Sequence, residues 1–133
     1  MFKSLKRLID TRLGRGIVIE DQSNEYGYFV KIHEHNLYTV VFFLKNDPDV
    51  KLALLDQIIC FPRHFSIWEQ GQNKNELGFE ILYQLQSLKL PYRVSISIEI
   101  NGDHKSLQSL TPLFFGARWQ EEDISKRHGI NIE

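Results

Sequence analysis

The sequence contains few residues of the kinds that redox chemistry and membrane insertion require. Its 133 residues include a single cysteine, Cys60, so no disulfide can form within the chain. A reducing compartment is therefore the simpler expectation. The longest apolar run, Val40 to Leu44, is far shorter than the ~20 residues that span a bilayer. We expect any link to a membrane to pass through a partner.

No excess of either charge is present. The sequence has 16 basic and 17 acidic residues and a formal net charge of −1, which argues against a nucleic-acid partner because such domains carry a basic excess. Hydrophobic residues make up 42% and charged residues 25%, the balance of a globular protein. We expect one domain over residues 1–133. The segment Met1–Arg7 lacks the features of a secretory signal, so none is expected there.

Hydrophobic spacing in the first third of the chain predicts one helix followed by strands. Apolar residues recur at helical spacing over Phe2–Leu13, and Gly16–Glu20 has the composition of a strand. A polar turn is expected over Asp21–Glu25, followed by an extended segment over Tyr26–Ile32. The run Leu37–Leu44 is apolar at nearly every position, which predicts a strand buried on both faces.

A helix-start signal follows that run. Asp47 is a capping residue, and Pro48 suits the first helical position because its missing N–H has no partner there. The apolar residues of Leu52–Ile59 then predict the core face of a second main helix. Pro62 limits how far that helix can run.

The second half of the chain is dominated by a predicted β-hairpin. After an apolar patch and polar loop over Phe65–Asn75, Leu77–Leu85 and Val94–Ile100 alternate between apolar and other residues, with Leu90–Tyr92 in the turn. A short helix is predicted around Glu121–Arg127. The fold class is therefore α+β: a two-layer sandwich with a mixed, mostly antiparallel sheet of about five strands. Two main helices pack against the sheet, and a short helix lies near the C-terminus.

Candidate metal and redox chemistry is sparse. His33 and His35 stand two apart on a predicted strand, so both rings could meet one ion. The other potential ligands lack a matching spacing: Cys60, His64, His104 and His128. The pattern favours a solvent-exposed strand end over a metal site. Cys60 is expected to be a buried structural thiol rather than a nucleophile, and a lone cysteine cannot hold an iron–sulfur cluster.

The carboxylate run Glu121, Glu122 and Asp123 is the remaining candidate for catalysis. An acid–base pair needs an environment that separates two pKa values. Consecutive helical residues point in different directions, so a solvated or interface face is favoured instead. No nucleophile–base pair or metal set supports an independent enzyme.

Several segments together carry a family resemblance. Phe79–Leu88 (FEILYQLQSL) matches, almost residue by residue, a strand that one family writes Phe-Glu-Val-Val-Tyr-His-Leu-Leu-Ser-Leu. Leu55–Ile58, Arg93–Ile96, Ser109–Thr111 and Gly116–Trp119 fit neighbouring family segments in the same order. From Leu37 to Ile132 the sequence resembles the 30-kDa subunit of respiratory complex I, the proton-pumping NADH:quinone oxidoreductase. The same domain occurs in membrane-bound nickel–iron hydrogenase and formate hydrogenlyase complexes.

The signature after the tryptophan departs from that family. Glu121, Gly129 and Ile130 agree with it, whereas Glu122 stands for an arginine and Lys126 for an aspartate. The other departures are Asp123 for a glutamate, and Arg127 and His128 for an apolar pair. The family continues into a long tail, whereas this sequence ends at Glu133. The swap of signs changes little if Glu122 and Lys126 pair on one helix. If each faces a partner, that partner must also differ.

The resemblance implies a non-catalytic structural subunit of the peripheral arm. Such a subunit docks on the large quinone-site subunit (49-kDa type) and the small iron–sulfur subunit. Iron–sulfur clusters and FMN lie on other subunits, with no cofactor on this one. The implied location is cytoplasmic, held peripherally at the inner side of the cell membrane through partners.

The implied partner interface is Arg118, Trp119, Glu121, Glu122, Asp123, Lys126, Gly129 and Ile130. Trp119 is the expected anchor, because tryptophan is enriched at the energetic centres of interfaces. The alternative for Trp119 is a core residue that closes the sheet. The alternative for the protein is a free-standing interaction or assembly domain that kept the fold and left the complex, which the altered signature would fit.

Overall fold

A computed structural model describes residues 5–62, 78–101 and 106–133. Its helices are α1 (Leu5–Arg12), α2 (Leu37–Asn46) and α3 (Ala117–His128), with a 3-10 turn at Glu34–Asn36. The strands are β1 (Val18–Asn24), β2 (Gly27–Ile32), β3 (Leu52–Pro62), β4 (Gly78–Ser87), β5 (Val94–Asn101), β6 (Ser106–Leu107) and β7 (Asn131–Ile132). The predicted patch and loop over Phe65–Asn75 lie outside the described residues.

The larger sheet is mixed, as the sequence predicts. Its five strands run in the order β1-β2-β5-β4-β3. Strands β2 and β5 pair in parallel, while the other neighbours in this sheet are antiparallel. The β4–β5 hairpin lies at the middle of the sheet, with Tyr83 opposite Ile96 and Ile81 opposite Ile98. β6 and β7 form a separate parallel pair.

The core lies between one face of this sheet and the helices. On β5, Val94, Ile96, Ile98 and Ile100 are fully buried, which agrees with the period of two in the sequence. Leu5 and Ile9 of α1 are buried in the same cluster. The two-layer α+β class is thus confirmed, with helices on one face of a mixed sheet.

The other face of the sheet carries a smaller apolar group and a buried polar pair. Phe29 of β2 and Leu82 of β4 pack with partly buried residues of β3. Beside them the Ser97 hydroxyl donates to a carboxylate oxygen of Glu80 at 2.8 Å, and both residues are fully buried. A buried carboxylate of this kind requires such a partner.

The predicted strand over Leu37–Leu44 is wrong: these residues form α2. Leu37, Val40, Val41 and Leu44 are buried, whereas Phe42 remains half-exposed. This i, i+3, i+4, i+7 spacing places the buried residues on one helical face. The unbroken apolar run conceals that face, because large apolar residues also occupy the outer positions.

The second main helix, predicted over Leu52–Ile59, is also wrong, because this segment is β3. Register shifts occur between Leu52 and Leu54 and between Leu55 and Gln57. Each shift moves the inward positions out of a strict period of two, so the apolar residues reproduce a helix-like spacing. Asp47 does cap, but its carboxylate accepts from the Asp49 N–H in the turn after α2.

A third difference concerns the predicted polar turn over Asp21–Glu25. β1 continues to Asn24, and the connection to β2 is only Glu25 and Tyr26. Polar residues suit β1 because it is an edge strand with its outer positions in solvent. Gly27 follows with φ +127°, a conformation that side chains other than glycine rarely adopt.

No helix in the ranges given above is both long and apolar enough to cross a membrane.

Candidate partner-docking surface

Helix α3 begins after Gly116, which has no side chain to cap it, and ends at a left-handed Gly129 with φ 69°. Glycine at this position terminates a helix without a steric penalty. Lys126, Arg127 and His128 occupy the last turn, where positive charge complements the helix dipole. The buried side of α3 consists of Ala117, Glu121 and Ile124.

Glu121 fixes α3 to the segment that precedes it. One carboxylate oxygen accepts from the hydroxyls of Ser109 at 2.6 Å and Thr111 at 3.1 Å. The other accepts from the backbone N–H of Leu110 at 2.8 Å. Glu121 is only 5% exposed, so the three donors compensate for the loss of hydration of its charge. The predicted surface role of Glu121 does not agree with this position.

A buried tyrosine lies close to the same carboxylate. Burial raises the pKa of Tyr83 well above its usual value, and the negative charge of Glu121 raises it further. Cys60 contributes in the same direction to a smaller extent. Burial also raises the pKa of the Cys60 thiol, to about 11. Both groups are therefore neutral at physiological pH.

α3 also contacts the free edge of the sheet. The side-chain oxygen of Gln120 accepts from the backbone N–H of Ile58 at 2.7 Å. Ile58 belongs to β3, an edge strand, so this bond pairs a donor next to a bulge. At the far end of α3 the buried Ile130 leads into β7, which pairs with β6. The helix is thus held along its length.

The outward side of this helix is aromatic at its beginning. Trp119 is 66% exposed and Phe115 is 70% exposed. The guanidinium of Arg118 lies 5.6 Å from the centroid of the Trp119 ring, within the range of a cation–π contact. The alternative that Trp119 is a core residue is therefore wrong.

Ion pairs flank the tryptophan along the same helix. Arg118 pairs with Glu122 at 3.6 Å, and Arg127 pairs with Asp123 at 3.1 Å, both with i, i+4 spacing. Glu122 therefore pairs one turn towards the N-terminus rather than with Lys126. Within the described parts of the chain, Lys126 forms no ion pair.

Comparison with known proteins connects this surface to a family. Residues 30–133 match the family described as respiratory-chain NADH dehydrogenase, 30 Kd subunit. The matched range runs from β2 to the end of the sequence and includes all of α3. The chain belongs to this family.

Curated relatives carry names of the same kind. NAD(P)H-quinone oxidoreductase subunit J of Prochlorococcus marinus is 29% identical over 109 residues, which cover 78% of this chain and 57% of the relative. An NADH-quinone oxidoreductase subunit of Brucella ovis is 26% identical over 118 residues, covering 86% and 52%. The chain spans about half the length of the curated relatives it matches.

Two solved structures share the fold of this 30 Kd subunit family member. The trypsin-resistant fragment of Nqo5 aligns with a TM-score of 0.65 and 16% identity, over 97% of this chain and 95% of that one. A polypeptide of the membrane-bound sulfane sulfur reductase, described as an archaeal respiratory membrane complex, gives 0.73 and 15%, over 97% and 68%. At these identities the likeness supports the fold alone.

The structure divides the eight predicted interface residues into two groups. Arg118, Trp119, Glu122, Asp123 and Lys126 lie on the outward side of α3. Glu121 and Ile130 are buried, and Gly129 is the C-cap, so these three support the position of the helix. A contact with a partner stays a prediction for each of them.

Sequence reasoning missed the residues that hold α3 in place. Ser109 and Thr111 bind Glu121, and Gln120 binds the sheet edge. The hydroxyls stand about one helix length before a glutamate, and no local pattern connects groups so far apart. Phe115 was also missed, although an aromatic residue beside Gly116 is a visible signal.

The remaining candidates lie elsewhere. His33 and His35 flank a 3-10 turn rather than a strand, with ring centroids 5.6 Å apart. Across the residues with described positions, no group of three or more His, Cys, Asp or Glu side chains could hold a metal ion. Cys60 is partly buried on β3 rather than on a helix.

Proposed function

We propose that this protein is a non-catalytic structural subunit in the peripheral arm of an NADH:quinone oxidoreductase or a related hydrogenase-type complex. It docks on the large quinone-site subunit through the outward side of α3, and the small iron–sulfur subunit is the second neighbour. FMN and the iron–sulfur clusters reside on other subunits. The domain sits on the cytoplasmic side of the membrane and is attached through its partners.

The observation that carries this proposal is the exposure of Trp119 on a firmly held helix. A tryptophan with 66% of its surface in water leaves a large apolar area without a contact. Phe115, which lies one turn earlier and is 70% exposed, enlarges that area. Aromatic residues of this kind, placed beside an arginine such as Arg118, are enriched at the energetic centres of interfaces.

The way in which α3 is held favours binding without a large entropic penalty. Glu121 joins the helix to residues 109–111, and Gln120 joins it to β3. A surface that is already ordered before binding loses little conformational freedom when a partner arrives. The family membership and the names of the relatives give the class of complex in which such a partner is sought.

The test compares Trp119→Ala with Tyr26→Ala in co-purification of the large subunit from gently solubilised membranes. Tyr26 is a matched control, because it is 73% exposed and lies between β1 and β2. Both variants should unfold within about 0.5 kcal/mol of the wild type, since both side chains are exposed. Trp119→Ala should lose the large subunit, and Tyr26→Ala should retain it.

Two results would contradict the proposal. Retention of the large subunit by a folded Trp119→Ala variant would exclude this face of α3 as the docking site. Failure of the wild type itself to recover a large subunit that is present in the lysate would exclude the subunit role. The second result would leave the free-standing interaction domain as the remaining interpretation.

A further inference from the structure

The charges on the outward side of α3 are compensated within the chain, with one exception. Glu122 is paired with Arg118, and Asp123 is paired with Arg127. Lys126 lies between these pairs and is exposed, with no ion-pair partner among the residues whose positions are described. A partner that covers this surface therefore meets one uncompensated positive charge.

Lys126 and Trp119 face the same direction. They are about two helical turns apart, which places their Cα atoms about 10 Å from each other along the axis. Residues at this separation lie on nearly the same side of a helix. The surface is thus polarised, with an aromatic part at the start of α3 and a cationic part near its end.

We infer that the docking partner presents a carboxylate to Lys126, about 10 Å from an apolar pocket that receives Trp119. This inference rests on the proposed function and specifies the chemistry of the partner surface. Burial of an ammonium group without an opposite charge is unfavourable, so a surface that covers Lys126 has to neutralise it. An aspartate or glutamate does so, and also distinguishes the correct partner from one with a basic residue there.

The neighbouring groups favour a carboxylate over a second cation or a neutral contact. The two ion pairs leave Glu122 and Asp123 already neutralised, so neither of them attracts a basic residue strongly. His128 is turned away, with its ring 5.0 Å from that of Phe79 on β4. Lys126 is therefore the cation in the last turn of α3 that remains available for a partner.

A zero-length carbodiimide cross-link tests this contact in the assembled complex. The reagent joins an amine to a carboxylate only when the two touch, and the product is located by mass spectrometry. We expect a peptide in which Lys126 is joined to an aspartate or glutamate of the large subunit. Lys126→Arg keeps the charge but offers no amine, so the complex should assemble while this cross-link disappears. If Lys126 is joined only to its own chain, or is unmodified while other lysines react, the inference is wrong.

Charge reversal provides a second and independent measurement. Lys126→Glu should raise the Kd for the purified large subunit at least about tenfold at low ionic strength, and added salt should reduce that difference. The matched control is Arg127→Gln, which removes a charge of the same sign that Asp123 already compensates. It should change the Kd by less than about threefold.

The outcomes separate the inference from the proposed function. Loss of binding by Trp119→Ala with an unchanged Kd for Lys126→Glu would contradict the carboxylate and leave the docking face intact. Unchanged binding by both variants would contradict the docking face itself. Equal losses in Lys126→Glu and Arg127→Gln would indicate a general electrostatic effect and would also contradict a specific contact.

Discussion

The carboxylate of Glu121 accepts a hydrogen bond at 2.8 Å from the backbone N–H of Leu110, eleven residues earlier in the sequence. Both residues are buried. The bond fixes the beginning of α3 against the segment that leads into it. The orientation of Trp119 on the opposite side of the helix therefore depends on a group that never reaches the surface.

Replacement of Glu121 should destabilise the domain. Glu121→Ala leaves the N–H of Leu110 buried without an acceptor and should lower the free energy of unfolding by about 3 kcal/mol. Glu121→Gln keeps one acceptor but directs an amide donor at other donors, and about 2 kcal/mol is expected. Urea unfolding measures both, with Glu122→Gln as the exposed control, expected within about 0.5 kcal/mol. A Glu121→Ala variant as stable as this control would contradict the assigned role.

Gln120 should protect the edge of β3. Its side-chain oxygen is the acceptor for the Ile58 N–H, so Gln120→Ala should speed hydrogen exchange at that amide by about tenfold. Gln120→Glu retains an acceptor oxygen and should keep most of the protection. The two exchange rates, followed by NMR or mass spectrometry, check this. Equal protection in the wild type and in Gln120→Ala would show that the bond does not form in solution.

Gly27 should not tolerate a side chain. A Cβ there would lie 2.4 Å from the carbonyl oxygen of Arg93, and its φ of +127° is unfavourable for other residues. Gly27→Ala should therefore cost about 3–5 kcal/mol. Gly16 also has a positive φ, of +90°, but faces open space. Gly16→Ala should cost only about 1–2 kcal/mol. Thermal or urea unfolding compares the two, and similar losses would contradict the close approach of Arg93.

Cys60 should react slowly with alkylating reagents. Burial raises its pKa from 9.0 to about 11, so near pH 8 its thiolate fraction is about a hundredfold below that of an ordinary cysteine. The rate with iodoacetamide should rise until about pH 11. The unfolded state loses this proton at lower pH, so stability is intact below pH 9 and falls as pH rises from 9 to 11. Cys60→Ala should reduce this loss, whereas rapid labelling at pH 8 would contradict the shift.

The regular hairpin of β4 and β5 was predictable from sequence because a period of two buries one side of each strand. Val94 to Ile100 show this alternation without interruption. α2 and β3 were exchanged in the prediction for opposite reasons. In α2 the outer position Phe42 is as apolar as the inner ones, which hides the helical period. In β3 two register shifts remove the strand period. Such differences are set by tertiary packing, which a local pattern does not contain.

The candidate site was predictable only in part, for a related reason. The tryptophan and its charged neighbours are close together in sequence, so Trp119 and Lys126 could be singled out directly. Glu121 could not be distinguished from Glu122, because the difference lies in the hydroxyls of Ser109 and Thr111. Which of two adjacent carboxylates is buried depends on a contact between distant segments.

The most direct measurement is affinity purification of the wild-type protein from native, gently solubilised membranes, with identification of the co-eluting proteins by mass spectrometry. The account predicts recovery of a large quinone-site or nickel–iron-type subunit together with its small iron–sulfur partner. Elution of the protein alone, with those subunits detected in the lysate but absent from the eluate, would contradict its role as a structural subunit.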